Sequence, residues 1–227
     1  MRLSPLELWI ARKIGQADGA LDRAALERWQ LQKLRETIAL ARAKAPFYRR
    51  HLANAPQELA ALNDLAQFPF TTAQDIRVNP LQFLCVSQDE IHRVVTLDTS
   101  GTTGDPKRIY FTREDQELTI DFFNAGMSTF TSAGDRVLIL LPGDRAGSVG
   151  DLLAMGLGRL GALGIKHGPG IPEPITLQRL ADENANGVVG TAHAGVGVGA
   201  ATQREPNKTQ KRFALHRPRA KRHRPGD

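Results

Sequence analysis

The sequence has a single cysteine, Cys85, so it cannot form an internal disulfide, which favours a reducing compartment such as the cytoplasm. It also has no apolar run approaching the roughly 18 residues that a membrane-spanning helix needs. The first 19 residues are amphipathic and lack the apolar block and small-residue cleavage site of a secretory signal. We therefore expect a cytoplasmic globular protein, because 227 residues suffice for one or two domains with a buried core.

Most of the chain lacks an excess of charge of either sign. The formal net charge is +6, but residues 191–227 hold nine of the 30 Lys and Arg and only two of the 24 Asp and Glu. Residues 1–190 consequently carry a net charge of −1. The basic character of the protein thus belongs to its C-terminal segment.

That segment also lacks hydrophobic periodicity. Residues 191–203 are rich in Gly and Ala, and residues 204–227 are dominated by Arg, Lys, His and Pro. A segment with so little to bury cannot offset the entropy of ordering, and we predict a disordered basic tail.

The tail leaves one alternative function open, namely binding of nucleic acid or an acidic partner. Its basic side chains would attract phosphates, but only Phe213 is available for stacking on bases, which makes a nucleic-acid role the weaker interpretation. Three histidines, His193, His216 and His223, have no cysteine or acidic partner at a common ligand spacing, so no metal site is predicted. The basic residues in question are Lys208, Lys211, Arg212, Arg217, Arg219, Lys221, Arg222 and Arg224.

Residues 1–90 have the pattern of a helical region. Helices are predicted over 5–18 and 22–45, the second with Asp22 as N-cap, and shorter ones after Pro46 and over 59–65. Thr71 followed by Gln74 predicts a capping box for a helix that runs to Ile76. In the run 83–86 we interpret Cys85 as a small buried apolar residue rather than a nucleophile. The second helix carries one apolar stripe, formed by Leu31, Leu34, Ile38, Ala41 and Ala45.

Residues 91–190 alternate between strand and helix patterns. The predicted order is β-loop-β over 94–111, then helix, strand, helix, strand, helix and the start of a strand at 188–189. The continuous apolar run 137–141 is typical of a buried parallel strand. The fold class predicted is therefore α/β, with a helical N-terminal part followed by β-loop-β and βαβ units of a mostly parallel sheet.

The loop of the β-loop-β segment is rich in groups that bind phosphate. Two glycines let backbone N–H groups approach an anion, hydroxyl groups donate to its oxygens, and a lysine adds positive charge. The segment is not a Walker A loop, because it has no Gly-Lys-Ser/Thr sequence. In order, its residues are Thr99, Ser100, Gly101, Thr102, Thr103, Gly104, Asp105, Pro106 and Lys107.

This nine-residue string resembles the phosphate-binding signature of the adenylate-forming enzymes. Residues 45–49, 65–72 and 75–77 are similar to the N-terminal part of phenylacetate-CoA ligases and their relatives, and the resemblance covers about residues 25–190. Lys107 is closer to the wider superfamily than to the phenylacetate enzymes.

The resemblance implies two-step chemistry with ATP, Mg²⁺ and coenzyme A. A carboxylic acid, which could be an aryl acid, attacks the α-phosphorus of ATP, and the thiolate of coenzyme A then displaces AMP to give a thioester. Thr99, Ser100, Gly101, Thr102, Thr103, Gly104 and Lys107 would bind the ATP phosphates. Gly147, Ser148 and Gly150 stand where the family has a turn near the acyl pocket, with an ordinary βα turn as the alternative. No catalytic residue and no metal ligand is identified.

The family's adenine-, ribose- and metal-binding segments and its C-terminal lysine have no counterpart after Gly190. We therefore expect an incomplete large N-terminal domain: a helical part at 1–90, a truncated α/β part at 91–190 and the tail at 191–227. Whether the chain is an enzyme stays open; we expect negligible ligase turnover and self-association through an exposed sheet edge. A shifted reading frame near codon 190 is one hypothesis for the tail.

Overall fold

The computed structural model describes residues 4–16, 21–97, 107–191 and 212–216, with only the backbone of Leu97 and of 212–216. The chain forms two compact units, Met1–Glu117 and Leu118–Asp227. The bounds predicted at residues 90 and 190 were drawn where the sequence pattern changes, and they stay predictions. Within the described ranges, no helix has the length and apolarity to cross a bilayer.

The first unit is mainly helical before a hairpin of two strands. Three short 3₁₀ helices lie between its helices and strands, at Leu62–Gln67, Pro80–Phe83 and Gln88–Glu90. The regular elements are α1 (Pro5–Lys13), α2 (Arg23–Lys44), α3 (Pro46–His51), α4 (Ala73–Val78), β1 (Arg93–Leu97), β2 (Lys107–Phe111) and the start of α5 (Arg113–Met127).

Helix α2 agrees with the sequence prediction. The Asp22 carboxylate caps it by accepting from the Ala24 and Ala25 N–H groups at 3.2 and 3.0 Å. The predicted apolar stripe is the least exposed side of the helix, half-buried along most of its length and buried at Ala45. Burial of this stripe and the N-cap together explain where the helix begins and which side packs inward.

Several details of the first unit differ from the predictions. The capping box of α4 is formed by Thr72 and Asp75, one residue after the predicted pair. The Asp75 carboxylate accepts from the Thr72 N–H at 2.7 Å. A charged carboxylate makes a stronger hydrogen bond as acceptor than the neutral amide of a glutamine. The segment predicted as a helix over 59–65 is instead the 3₁₀ helix Leu62–Gln67. Cys85 is half-buried rather than fully buried, and burial raises the pKa of its thiol.

The second unit is a parallel sheet covered by helices. Its strand order is β4-β3-β5-β6 and all three pairings are parallel. Because β4 and β5 lie on opposite sides of β3, the strand order reverses at β3, which is where ligands usually bind in open α/β sheets. The elements that follow α5 are β3 (Arg136–Leu140), α6 (Val149–Arg159), β4 (Leu163–Lys166), α7 (Glu173–Asp182), β5 (Gly187–Thr191) and β6 (Arg212–His216).

Strand β3 is buried on both faces, as its continuous apolar run predicts. Leu138 and Leu140 pack with Leu180 of α7 on one face. Val137 and Ile139 pack on the other face, with Leu153 and Leu157 of α6 and Met127 of α5. Alternate side chains of one strand therefore hold helices on both faces of the sheet.

The C-terminal strand is a difference between sequence and structure. Residues 212–216, which lie in the tail predicted to be disordered, form β6 and pair in parallel with β5, from Gly187↔Arg212 to Thr191↔His216. The three central residues Phe213, Ala214 and Leu215 are apolar, so a short strand is compatible with this otherwise polar segment. The rest of the tail, 192–211 and 217–227, lies outside the described residues.

Candidate functional site

The β1–β2 hairpin holds both ends of the predicted phosphate loop. The strands are antiparallel, and Leu97 pairs with Lys107 as the last cross-strand pair. Directly paired residues of antiparallel strands have their Cα atoms about 4.5–5.5 Å apart. The chain therefore leaves and re-enters the hairpin at one point, as a ligand-binding loop between two strands requires. Six predicted phosphate ligands, Thr99, Ser100, Gly101, Thr102, Thr103 and Gly104, lie outside the described residues.

Lys107 is the one predicted phosphate ligand that the structure describes. It is the first residue of β2 and its side chain is half-buried. Among the described residues, its ammonium group has neither a hydrogen-bond nor an ion-pair partner. A lysine in this condition, at the end of a loop rich in hydroxyl and amide donors, is suited to bind an anion.

The three acyl-pocket candidates lie together in the second unit, in the turn from β3 to α6, which we call the 142–150 turn. Ser148 is the N-cap of α6, and its hydroxyl donates to the Arg145 carbonyl at 2.6 Å. The Gly147 N–H donates to the Asp151 carboxylate at 2.9 Å. The turn follows the carboxyl end of β3, next to the reversal of strand order.

Gly150 is required for the close approach of α6 to the end of β3. Its N–H donates to the Pro142 carbonyl at 2.7 Å. A Cβ at this position would stand 2.8 Å from the carbonyl oxygens of both Leu141 and Pro142, closer than real Cβ contacts. Gly150 is also buried, so its observed role is packing of the turn, while a contact with an acyl substrate stays a prediction.

Asp151 and Lys166 join the 142–150 turn to the end of β4. The Lys166 ammonium donates to Asp151 Oδ1 at 3.0 Å, while Asp151 Oδ2 accepts from Gly147. Burial by itself would raise the pKa of Asp151, but the hydrogen bonds from Lys166 and Gly147 and the lysine charge lower it overall. Sequence reasoning missed both residues. The spacing Ser148-x-x-Asp151 was the available signal, because it resembles a capping box.

His167 follows Lys166 at the same end of the sheet. Its Nε2 lies 3.0 Å from the hydroxyl of Thr176, a buried residue in the first turns of α7. Burial, and secondarily the positive charge of Arg179, lower the pKa of this imidazole. The neutral form is therefore favoured in the folded protein.

Lys107 supplies the positive charge that anion binding requires. Among the described residues, no group of three or more His, Cys, Asp and Glu side chains could hold a metal ion. The described parts supply a half-buried lysine at the base of the loop and, separately, a glycine-rich turn after a parallel strand. Asp144 and Arg145, in the middle of that turn, are exposed.

Sequence comparison identifies relatives of this chain, although no family model matches it. It is 39% identical over 95 residues to the phenylacetate-coenzyme A ligase of Pseudomonas putida, a match that covers 40% of this chain and 21% of that enzyme. It is 32% identical over 125 residues to the phenylacetate-coenzyme A ligase of Thermus thermophilus, covering 53% of this chain and 27% of the relative.

Structural comparison gives a longer match. Crystal structures of 2-hydroxyisobutyryl-CoA ligase share the fold over 81% of this chain. The structure in the thioesterification state, in complex with 2-HIB-AMP and CoA, gives a TM-score of 0.65 with 25% identity. A postadenylation state of that enzyme gives a TM-score of 0.66 with 24% identity. The two matches cover 41% and 40% of those ligase chains.

The chain thus corresponds to well under two thirds of the length of these relatives, in agreement with the predicted N-terminal part of a larger ligase. The α/β fold expected from the sequence is confirmed by the same matches. The chain is similar in sequence to part of the phenylacetate-coenzyme A ligases, and its fold is that of part of a solved acyl-CoA ligase.

Proposed function

We propose that this chain binds the phosphate groups of ATP through residues 99–104 and Lys107, as the nucleotide-binding part of an AMP-forming acyl-CoA ligase. The observation that carries the proposal is the hydroxyl- and glycine-rich sequence enclosed by the paired residues Leu97 and Lys107. Its support comes from the relatives, which are named as coenzyme A ligases, and from a structural neighbour that contains 2-HIB-AMP and CoA.

The loop would supply electrostatic stabilisation, not a covalent catalyst. Attack of a carboxylate on the α-phosphorus of ATP releases pyrophosphate, whose developing negative charge would be met by hydroxyl donors, backbone N–H groups and the Lys107 ammonium. Mg²⁺, as the partner of ATP, would neutralise further charge on the phosphates. The carboxylic acid substrate would be a small or aryl acid, by analogy with the named substrates of the relatives.

We further propose that the chain binds nucleotide without completing thioester formation. The observation behind it is that the matched parts cover only 21–41% of the related ligases. The protein would act in the cytoplasm as a nucleotide-binding chain of this ligase type. Incubation with phenylacetate, MgATP and CoA should give no phenylacetyl-CoA, and its formation would contradict this part of the proposal.

Replacement of Lys107 tests the phosphate site directly. Lys107→Met removes the charge but keeps a long side chain, so we expect the affinity for MgATP, measured by isothermal titration calorimetry, to fall about tenfold. Arg108→Met is the matched control, because Arg108 is the next residue of β2, is exposed and points to the opposite face. Equal weakening in both variants would indicate non-specific attraction, and no ATP binding by the unaltered chain would refute the proposal.

A further inference from the structure

The ion pair between Asp151 and Lys166 connects two elements that meet at the carboxyl end of the sheet. Lys166 ends β4, and its aliphatic carbons lie against Gly143, where a Cβ would be only 3.2 Å away. From there its ammonium reaches Asp151 in the first turn of α6. Asp151 in turn holds the Gly147 N–H, so one carboxylate links the end of a strand, a helix and the 142–150 turn.

This pair differs from the exposed ion pairs of the chain. Lys33 and Glu36 are neighbours on one helix, and their side chains are 50% and 49% exposed. The Asp151 side chain is only 19% exposed and its partner lies 15 residues away on another element. Exposed ion pairs contribute little to the free energy of unfolding. A shielded carboxylate that also accepts from a backbone N–H restrains the positions of both of its donors.

The middle of the 142–150 turn is held by one carbonyl, that of Arg145, which accepts from the N–H and the hydroxyl of Ser148 at 3.0 and 2.6 Å. Residues 144–146 are exposed, and the two ends of the turn are held by the Gly150–Pro142 backbone hydrogen bond and by the contacts of Gly147 and Ser148. Loss of the Asp151 carboxylate would remove the acceptor of the Gly147 N–H and the ion-pair partner of Lys166 together. The position of Gly147 therefore depends on Asp151.

We propose that Asp151 is a positioning residue for acyl-substrate binding, and that it fixes Gly147, just before α6, with Lys166 as its partner. The proposal rests on the proposed function, and it takes this turn as the place where the acyl group of the substrate would bind. The position suits the role, because ligands of open α/β sheets bind outside the carboxyl ends of strands near a reversal of strand order. The ion pair also places a compensating negative charge next to Lys166, whose aliphatic carbons lie against Gly143 of the turn.

The test compares two ligands on the full 227-residue chain. The probes are ATP and a non-hydrolysable phenylacetyl sulfamoyl adenosine, which carries the acyl group that ATP lacks. We expect Asp151→Ala to weaken binding of the acyl probe about tenfold while the affinity for ATP changes less than about twofold. Asp151→Asn, which can still accept from Gly147, should restore part of the loss, and Lys33→Met should change neither affinity.

A second readout distinguishes positioning from a loss of folding. Hydrogen exchange of peptides that cover residues 143–150 should speed up in Asp151→Ala and Lys166→Met, with the exchange of β3 and β5 unchanged. The inference would be overturned if Asp151→Ala weakened the affinity for ATP and for the acyl probe equally. It would also be overturned if the acyl-probe affinity stayed unchanged while hydrogen exchange became faster. If the unaltered chain binds ATP but binds the acyl probe no better, this inference fails alone; if it binds neither, the proposed function fails with it.

Discussion

Two glycines of α6 show how differently the same residue can be used. Gly150 lies where a Cβ would be 2.8 Å from two carbonyl oxygens, whereas a Cβ at Gly158 would have no atom within 4 Å. Backbone oxygens cannot move aside as a flexible side chain can, so Gly150 is required by packing. Gly158 in contrast only adds backbone freedom to a helix.

We predict opposite effects of alanine at these two positions. Gly150→Ala should lower the free energy of unfolding by about 1–3 kcal/mol, because the added methyl group forces α6 away from the end of β3. Gly158→Ala should leave it unchanged or raise it by up to about 1 kcal/mol. Urea denaturation followed by circular dichroism measures both, and similar effects of the two changes would show that the helix tolerates a shift at its start.

His167 makes stability depend on pH. Its pKa in the folded protein lies below that of the unfolded chain, about 6.5. The unfolded state therefore binds a proton first as the pH falls, so stability is complete above about pH 6.5 and declines as the pH falls through the folded value. We expect the melting temperature to fall between pH 7.5 and 5, and to fall less in His167→Asn. An equally steep decline in that variant would assign the effect to other groups.

At the scale of elements, short helices of the first unit depend on their ends more than on their interiors. Helix α4 has six residues and no buried side chain, so it has little packing to stabilise it. Its start is held by three hydrogen bonds between Thr72 and Asp75, at 2.7, 2.7 and 3.2 Å. A helix this short is marginal by itself, and its cap is a large part of what holds it.

We therefore expect removal of the cap to lower the free energy of unfolding measurably. Thr72→Ala should cost about 1 kcal/mol in the free energy of unfolding, because one N–H group of the first turn loses its acceptor. Thr72→Ser keeps the hydroxyl and should retain most of this stability. Chemical denaturation of the three proteins provides the measurement, and a serine variant as unstable as the alanine variant would point to the lost methyl group instead.

At the scale of the whole molecule, the edge strands of the parallel sheet determine whether it can pair with other chains. In the described part of the second unit, β4 and β6 form the two edges, and β6 covers the side of β5 that does not face β3. An uncovered strand edge offers unpaired N–H and C=O groups to other chains. The C-terminal segment thus contributes to the architecture despite its polar composition.

Two deletions separate the role of β6 from that of charge. Removal of residues 192–227 uncovers β5, and we expect increased self-association by size-exclusion chromatography with light scattering. Removal of 217–227 alone takes away five of the basic residues but keeps β6, and it should leave the oligomeric state unchanged. Association of both truncated chains to the same extent would attribute solubility to the charge of the tail.

The sequence by itself predicted the features that depend on local pattern. The apolar stripe of α2, its Asp22 cap and the buried run of β3 all arise from residue spacing. The string 99–107 suggested a resemblance to CoA ligases, and the relatives found by comparison are such ligases. Local hydrogen bonding and burial suffice for such features, since they require only neighbours in the chain.

Only the tertiary structure decided which distant residues share a contact. It placed the Thr72 cap one residue from its predicted position, paired β6 with β5, and brought Lys166 to Asp151. The Thr72 cap is a local choice between neighbouring residues, whereas the other two contacts depend on sheet packing, because the ends of parallel strands meet at one edge. For this reason the phosphate loop is a prediction that the sequence alone can make, whereas the contacts of Asp151 with Lys166 and Gly147 became visible only in three dimensions.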